Sequence, residues 1–180
     1  MAKREALREL QTRLASRLQA ARTEGVQSSW LAVESGGRKF LFPLAQSGEI
    51  FPFSSAMPVP YTQSWFLGVA NLRGGLFGVV DLSSFVQGGS PQQRSDAGRA
   101  ESRLVAFNAA LEVNCALLID RLAGLRNTDA FASSSPPPEG SPEFFGTGYT
   151  DASGTYWQEL NLQALSQQPQ FLSIGAQGAS

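Results

Sequence analysis

Residues 65–82 read WFLGVANLRGGLFGVVDL, and this stretch decides the fold class of the chain. Its two apolar runs, Leu67 to Leu72 and Leu76 to Leu82, have the length and the Val, Leu and Phe content of short β-strands. The glycines from Gly74 to Gly78 are interpreted as turn or bulge residues. They lack both the Lys-Ser/Thr of a P-loop and the full GxGxxG spacing, so a phosphate-binding loop is not predicted.

The same β pattern continues on both sides of this stretch, with short apolar or alternating runs separated by Gly, Pro, Ser and Asn. Gly36 and Gly37 supply the positive φ that a tight hairpin turn requires. The sequence therefore predicts a mainly β protein with about nine strands. The other candidate strands are Trp30 to Glu34, Lys39 to Leu44, Glu49 to Phe53, Leu104 to Asn108, Glu112 to Ile119, Leu122 to Asn127 and Thr155 to Leu160.

Both ends of the chain predict helices. Residues 3–24 contain no Gly or Pro and carry leucines at spacings of three and four, which indicates an amphipathic helix that ends at Gly25. We expect its apolar stripe to pack on the rest of the chain, and docking to another protein or dimerisation is the alternative. The stripe of the N-terminal helix consists of Leu7, Leu10, Leu14 and Leu18.

Near the other end of the chain, a short helix is predicted from Leu162 to Gln167, with Asn161 as N-cap and Pro169 at its end.

Two stretches rich in Pro, Gly and Ser are predicted to be loops, because they offer too little apolar surface to offset the entropy of ordering. They are Gln87 to Ser102 and Ala132 to Glu143.

Composition excludes much of enzyme chemistry. The 180 residues include no histidine and one cysteine, which removes Ser-His-Asp and Cys-His nucleophile systems, HExxH sites and CxxC motifs. A formal net charge of -1 argues against nucleic-acid binding. No apolar run reaches the length of a membrane span, and the N-terminus lacks the apolar core of a signal peptide. We expect a cytoplasmic protein with no metal, cofactor, catalytic residue or membrane insertion.

Three groups of side chains could still carry function. Asp81 and Asp120 each follow an apolar strand. One functional hypothesis is therefore a β-barrel small-ligand binder or a carboxylate enzyme that uses this pair. Strand-end carboxylates more often cap local backbone N–H groups. Cys115 lies in an apolar run and is predicted to be a buried, unreactive thiol. The aromatic residues Trp65, Phe66, Phe144 and Phe145 are expected in the core, with an exposed contact surface as the alternative.

One resemblance covers most of the chain. GVANLRG at residues 68–74, followed by VVDL at residues 79–82, closely resembles the GVxNLRGxxxPVVDL signature of CheW-like coupling domains of bacterial chemosensory systems. Glu49-Ile50, Ala116 to Leu122 and Leu160 to Leu165 are similar to the family's EI, GLLVDRV and LNLxxL elements. The order is the same throughout residues 28–168.

Three departures concern the subfamily rather than the fold. Gly78 stands where the family usually has Pro, Ser47-Gly48 replaces an apolar-polar pair, and the N-terminal helix exceeds a minimal coupling protein. The helix and the divergent first strands make the chain more similar to the twitching-motility (PilI-type) branch.

The resemblance implies a pair of five-stranded SH3-like β-barrels with an apolar groove between them. The first barrel would take residues 28–44 and the closing strands near residues 155–160, and the second barrel would take most of residues 49–119. The implied domains are an N-terminal amphipathic helix at residues 1–25, the coupling domain at residues 28–168 and a tail at residues 169–180.

The implied function is a non-enzymatic adaptor that couples a methyl-accepting chemoreceptor to a CheA-type histidine kinase in the control of type IV pilus twitching. Its partners would be the cytoplasmic tip of the receptor and the regulatory domain of the kinase, within membrane-bound receptor arrays. Carried over to this chain, Asn71 and Arg73 would make polar contacts to a partner. Gly68 and Gly74 would allow close backbone approach, and Asp81 would hold the turn.

Overall fold

The computed structural model describes residues 2–27, 29–91 and 93–174, and within the N-terminal helix it describes the side chains of residues 3–15. The protein is mainly β, as predicted, and its strands form two sheets. The strands are β1 (Ser29–Ser35), β2 (Arg38–Pro43), β3 (Ser47–Pro52), β4 (Phe66–Leu72), β5 (Gly75–Asp81), β6 (Arg103–Phe107), β7 (Cys115–Ile119), β8 (Arg121–Asn127), β9 (Phe131–Ser135), β10 (Phe145–Asp151) and β11 (Tyr156–Leu160). The helices are α1 (Ala2–Gln27), α2 (Leu82–Gln87), α3 (Asp96–Glu101), α4 (Leu162–Ser166) and α5 (Pro169–Leu172).

The first sheet has the strand order β8-β1-β2-β11-β10-β9. β1 and β2 form the predicted antiparallel hairpin, in which Gly36 and Gly37 have φ of 59° and 76°. These left-handed values explain why the turn carries two glycines. β2 pairs in parallel with β11, so the hairpin at the start of the domain is joined to strands from its end.

The prediction of five strands for the first sheet is wrong, because the sheet has six. Neither β9 nor β10 shows an apolar alternation. β9 is the exposed sequence FASSS and falls in the stretch predicted to be a loop, while β10 contains two glycines and two threonines. Both are strands because they pair with a neighbour, β9 with β10 and β10 with β11. Pairing across the sheet thus overrides weak local propensity.

The second sheet has the order β3-β6-β7-β5-β4 and is built from residues 47–119. β5 and β7 are parallel, while the other neighbours are antiparallel. The chain is therefore divided as predicted: residues 29–43 and 156–160 lie in the first sheet, and the strands between residues 47 and 119 form the second. The stretch predicted as a loop from Gln87 to Ser102 contains α3, whose N-cap Ser95 accepts a hydrogen bond from the Gly98 backbone N–H.

Three apolar clusters hold these layers together. The largest lies between the sheets, where Phe40 and Phe42 of β2 meet Val105 and Leu117 of the second sheet. A second cluster lines the inside of the second sheet, and a third lines the inside of the first. Burial of aliphatic side chains on both faces of β7 explains why this strand is apolar at every position.

The N-terminal helix differs from prediction in length and in packing. α1 continues through Gly25 to Gln27. Leu7, Leu10 and Leu14 are 56%, 55% and 50% exposed, so the expectation that they pack on the body is wrong. Residues 3–15 do not lie against the sheets, so all of their side chains face solvent, the leucines included. The side chain of Leu18 lies outside the described part of the helix. Within the described residues, no helix is both long and apolar enough to cross a membrane.

The C-terminal helix begins as predicted. Asn161 caps α4 by accepting a hydrogen bond from the Ala164 backbone N–H at 3.0 Å. Pro169 does more than end it, because it opens α5 at the position where a missing N–H costs nothing. Phe171 of α5 is buried in the inter-sheet core, so the segment assigned as a tail contributes to the fold at least to that residue. Residues 28 and 175–180 lie outside the described part.

Candidate partner-binding site

The segment that resembles the family signature forms a hairpin. β4 and β5 pair up to Leu72 and Gly75, which leaves Arg73 and Gly74 as the two turn residues. Their φ values of 49° and 77° are the left-handed pair of a type I′ turn. Asn71 Oδ1 accepts a hydrogen bond from the Gly74 N–H at 3.1 Å, so the Asn71 side chain stabilises the turn. Asn71, Arg73 and Gly74 are thus together at one tip.

Arg73 reaches from this tip to another strand. Its Nη2 lies 2.7 Å from Oε1 of Glu49 on β3, at the opposite edge of the second sheet. The Arg73 side chain is 76% exposed and that of Glu49 is 42% exposed. Such an exposed pair contributes little to stability, about 1 kcal/mol or less. Both charges therefore remain available to a partner at small cost.

A groove of about 560 Å³ opens beside this ion pair. It lies at the end of the second sheet, between the β4–β5 hairpin, β3 and the connection from β6 to β7. All of its lining residues fall within residues 48–114, so it differs from the groove between two barrels that the resemblance implies. Apolar side chains line part of it, and polar side chains line the rest. The apolar lining includes Phe51, Leu72, Phe77, Ala106 and Val113, and the polar lining includes Glu49, Arg73, Asn108 and Asn114.

Gly68 has a different environment from the tip. Its φ is +134°, and a Cβ there would lie 2.0 Å from the carbonyl oxygen of Met57. Met57 and Val69 exchange two backbone hydrogen bonds of 2.7 and 2.9 Å at this point. Close backbone approach at Gly68 therefore serves a segment of the chain itself. At Gly74, by contrast, a Cβ would meet nothing within 4 Å, so the glycine there answers to φ alone.

Asp81 lies at the other end of β5, away from the turn that it was expected to hold. Its Oδ1 accepts a hydrogen bond from the Ser84 N–H at 2.9 Å, which makes it the N-cap of α2. Its Oδ2 lies 3.4 Å from Arg94 Nη2. The Asp81 side chain is fully buried, as a capping role allows because both oxygens have partners.

Arg94 is the residue that sequence reasoning missed. It lies in the stretch predicted as a polar loop, where no local pattern distinguishes it from other surface arginines. Its guanidinium contacts Asp120 Oδ1 at 2.8 Å from Nε and 2.6 Å from Nη2. Asp120 Oδ2 accepts a hydrogen bond from the Gly36 N–H at 2.8 Å. Asp81 and Asp120 therefore share one cation.

This arrangement does not favour a carboxylate enzyme that uses Asp81 and Asp120. A general acid–base pair needs oxygens free to reach a substrate in a cleft. Here each of the four carboxylate oxygens contacts Arg94 or a backbone N–H group. Among the described residues, no group of three or more Cys, Asp or Glu side chains could hold a metal ion.

The remaining candidates are core residues. Cys115 is buried, and burial raises the pKa of its thiol to about 11, so the reactive thiolate is scarce at neutral pH. Trp65, Phe66 and Phe144 are buried in the inter-sheet core, and Phe145 packs against it. The expectation that these aromatic residues belong to the core is confirmed.

Comparison with known proteins agrees with this architecture. Residues 29–170 match the CheW-like domain family. The chain is 30% identical over 157 residues to Protein PilI of Pseudomonas aeruginosa, covering 86% of this chain and 84% of PilI. The crystal structure of the scaffolding protein TtCheW from Thermoanaerobacter tengcongensis superposes with a TM-score of 0.64, covering 80% of this chain and 95% of that one. At 16% identity this likeness concerns the fold. The match over residues 29–170 shows that this chain belongs to the CheW-like domain family.

Proposed function

We propose that this protein is a non-enzymatic adaptor that couples a methyl-accepting chemoreceptor to a CheA-type histidine kinase. The observation that carries the proposal is the groove of about 560 Å³ at the tip of the β4–β5 hairpin, bordered by the Arg73–Glu49 ion pair. Membership of the CheW-like family supports an adaptor role. The similarity to PilI supports a place in the control of type IV pilus twitching motility.

The proposed occupant of the groove is the cytoplasmic tip of a receptor, a helical hairpin. An apolar floor that includes Phe51, Leu72 and Phe77 can take the apolar ridge of an amphipathic helix, as in other helix-in-groove complexes. Arg73 and Glu49 at the rim can exchange their mutual contact for polar groups of the helix. Gly74, which has open space where a side chain would be, leaves the turn backbone accessible to such a partner.

A non-enzymatic role agrees with the chemistry on the surface. The chain has no histidine, its cysteine is buried, and its strand-end aspartates bind Arg94. The proposed location is the bacterial cytoplasm, with recruitment to membrane-bound receptor arrays. The second proposed partner is the regulatory domain of the kinase.

Calorimetric titration of the full-length protein tests the proposal against two probes, a receptor-tip fragment and the isolated regulatory domain of a CheA-type kinase. We expect each probe to bind the protein, and we expect both probes to bind the same molecule simultaneously. Arg73→Asn should weaken receptor-tip binding by about tenfold or more, because Asn keeps the left-handed turn while the guanidinium is lost.

The matched control is Arg99→Asn, which removes an exposed arginine of α3 away from the hairpin. It should leave both affinities unchanged. Failure of the wild-type protein to bind either probe would overturn the adaptor function, and equal effects of the two arginine variants would overturn the assignment of the groove.

A further inference from the structure

The part of α1 whose side chains the structure describes carries an exposed apolar stripe. Leu7, Leu10 and Leu14, which we call the leucine stripe, are 56%, 55% and 50% exposed. The other side chains of residues 3–15 are exposed as well. At 1.5 Å per residue this part of the helix spans roughly 20 Å. Three large apolar side chains on one free helix face indicate a contact with something outside the fold.

Basic residues flank the leucine stripe, and the acidic residues lie away from it. At 3.6 residues per turn, Arg4 and, further round the helix, Arg8 lie on one side of the stripe, and Arg13 lies on the other. Glu5 and Glu9 lie on the far face. A surface that covers the leucines therefore meets cations on both sides of them, which favours a surface of negative charge.

The same pattern disfavours a second copy of the chain and a coiled coil. Two copies that buried their leucine stripes against each other would bring cations from both helices to one interface. In a coiled coil, apolar residues alternate at spacings of three and four, so the position after Leu14 would be residue 17, which is arginine. The sequence has leucine at position 18 instead, a spacing that follows one straight face of an α-helix. A straight stripe suits a flat surface better than a supercoiled partner.

We propose that the N-terminal half of α1 binds the surface of an anionic lipid bilayer. A basic amphipathic helix lies in the plane of the membrane interface, with its apolar face at the boundary between headgroups and acyl chains. Arg4 and Arg13 can extend their aliphatic stems along the apolar surface and place their guanidinium groups at lipid phosphates. Glu5 and Glu9 then point away from the negative surface. The inference goes beyond the adaptor function and does not depend on it, because it concerns neither protein partner.

The association should be reversible and sensitive to salt. Three leucines offer a modest apolar area, so electrostatic attraction has to add to it. Each Lys or Arg near an anionic surface raises the affinity about fivefold, and this attraction is screened beyond the Debye length of about 8 Å at physiological ionic strength. Binding should therefore need both the leucine stripe and the basic residues beside it.

Cosedimentation of the full-length protein with vesicles tests this inference. The probes are vesicles of phosphatidylglycerol and phosphatidylcholine in equal parts, and vesicles of phosphatidylcholine alone, both at low salt. We expect the protein to bind the anionic vesicles and to bind the neutral ones about tenfold more weakly or less. Added salt should weaken binding to the anionic vesicles, and deletion of residues 1–15 should abolish it.

A matched pair of charge variants tests the flanks of the leucine stripe. The double variant Arg4→Gln and Arg13→Gln should weaken binding to anionic vesicles about tenfold or more. The double variant Glu5→Gln and Glu9→Gln should not weaken it. All four side chains are exposed, so the melting temperature should stay the same in both variants.

A matched pair of leucine variants tests the apolar contact. Leu10→Ala should weaken binding to anionic vesicles about fivefold. Leu125→Ala, which removes an exposed leucine of β8 in the first sheet, should leave it unchanged.

Absence of binding to anionic vesicles by the wild-type protein, or equal binding by the form that lacks residues 1–15, would overturn the inference. Equal effects of the arginine and glutamate variants would overturn it too. Self-association that Leu10→Ala abolishes, or loss of receptor-tip or kinase binding on deletion of residues 1–15, would show that a protein covers the leucine stripe and would overturn the lipid assignment. We expect the truncated protein to bind both protein probes as the wild type does, so the adaptor function and this inference can fail separately.

Discussion

The Arg94 guanidinium lies against the carboxylate of Asp120, with Nε 2.8 Å and Nη2 2.6 Å from Oδ1. Asp120 stands where the chain passes from β7 in the second sheet to β8 in the first, and its other oxygen binds the Gly36 N–H in the β1–β2 turn. Arg94 also approaches Asp81, the N-cap of α2. One side chain from a surface loop therefore ties together elements of both sheets.

Removal of this cation should destabilise the protein. Arg94→Ala leaves Asp81 buried without its charged partner, and the loss of one member of such a pair costs about 3 kcal/mol. Arg94→Lys should recover part of the loss, because an ammonium group cannot reproduce the forked contacts of a guanidinium. Urea denaturation measures both. Arg99→Ala, on the exposed α3, is the control and should change stability by about 0.5 kcal/mol or less; an equal effect of Arg94→Ala would contradict the role of Arg94.

The ion pair between Arg73 and Glu49 should matter little for folding. Both side chains are exposed, so Arg73→Asn and Glu49→Gln should each change the free energy of unfolding by about 1 kcal/mol or less. The double variant should show a coupling energy in the same range. Thermal and urea denaturation of the three variants give these values. A loss of several kcal/mol would show that the pair supports the fold, and would weaken the case that its charges are free for a partner.

Two glycines of the hairpin should respond very differently to alanine. At Gly68 a Cβ would overlap the Met57 carbonyl, in addition to a disfavoured φ of +134°, so Gly68→Ala should cost about 3 kcal/mol or more. At Gly74 the space is open and only the left-handed φ matters, so Gly74→Ala should cost about 1 to 2 kcal/mol. Urea denaturation of the pair separates the two causes, and equal costs would contradict the close approach at Met57.

The exposed half of α1 should be dispensable for stability. Deletion of residues 1–15 removes Leu7, Leu10 and Leu14, which are about half exposed. We expect an unchanged melting temperature and a smaller helical signal in circular dichroism. Sedimentation of both forms reports whether the leucines join two copies of the chain. A clearly lower melting temperature for the truncated monomer would show that these leucines do pack on the body.

Asp151 should give acid sensitivity to the first sheet. Its carboxyl accepts hydrogen bonds from the Ser153 hydroxyl, the Thr155 N–H and the Trp157 indole N–H. These bonds, of which the one from Ser153 has the largest effect, lower the pKa of the carboxyl from 3.8 to about 2. Because the folded-state pKa is the lower one, the stabilisation is present above the unfolded pKa near 4 and is lost as the pH falls towards 2. Carboxyl-carbon NMR titration measures the pKa directly. Asp151→Asn should flatten this part of the stability profile, and a midpoint near 4 in the folded protein would contradict the prediction.

Local sequence was sufficient wherever one segment carries its own structural signal. The Gly36-Gly37 turn and the turn at Gly74 follow from glycines, which tolerate positive φ, and the cap of α4 follows from Asn161. An apolar run predicted β7 and the burial of Cys115, because a strand covered on both faces must be apolar throughout. The fold class and most strands could be predicted for the same reason.

Tertiary structure decided what depends on residues far apart in the chain. β9 is a strand because β10 offers its hydrogen bonds, and Arg94 binds Asp81 and Asp120 because the fold brings a loop over two strand ends. Glu49 meets Arg73 only because β3 and the β4–β5 hairpin converge at one end of the second sheet. Leucine spacing predicted α1, yet whether its stripe is covered depends on which surfaces reach it. Short-range propensity and φ preferences are written in neighbouring residues, whereas pairing, burial and ion contacts arise only when distant segments pack.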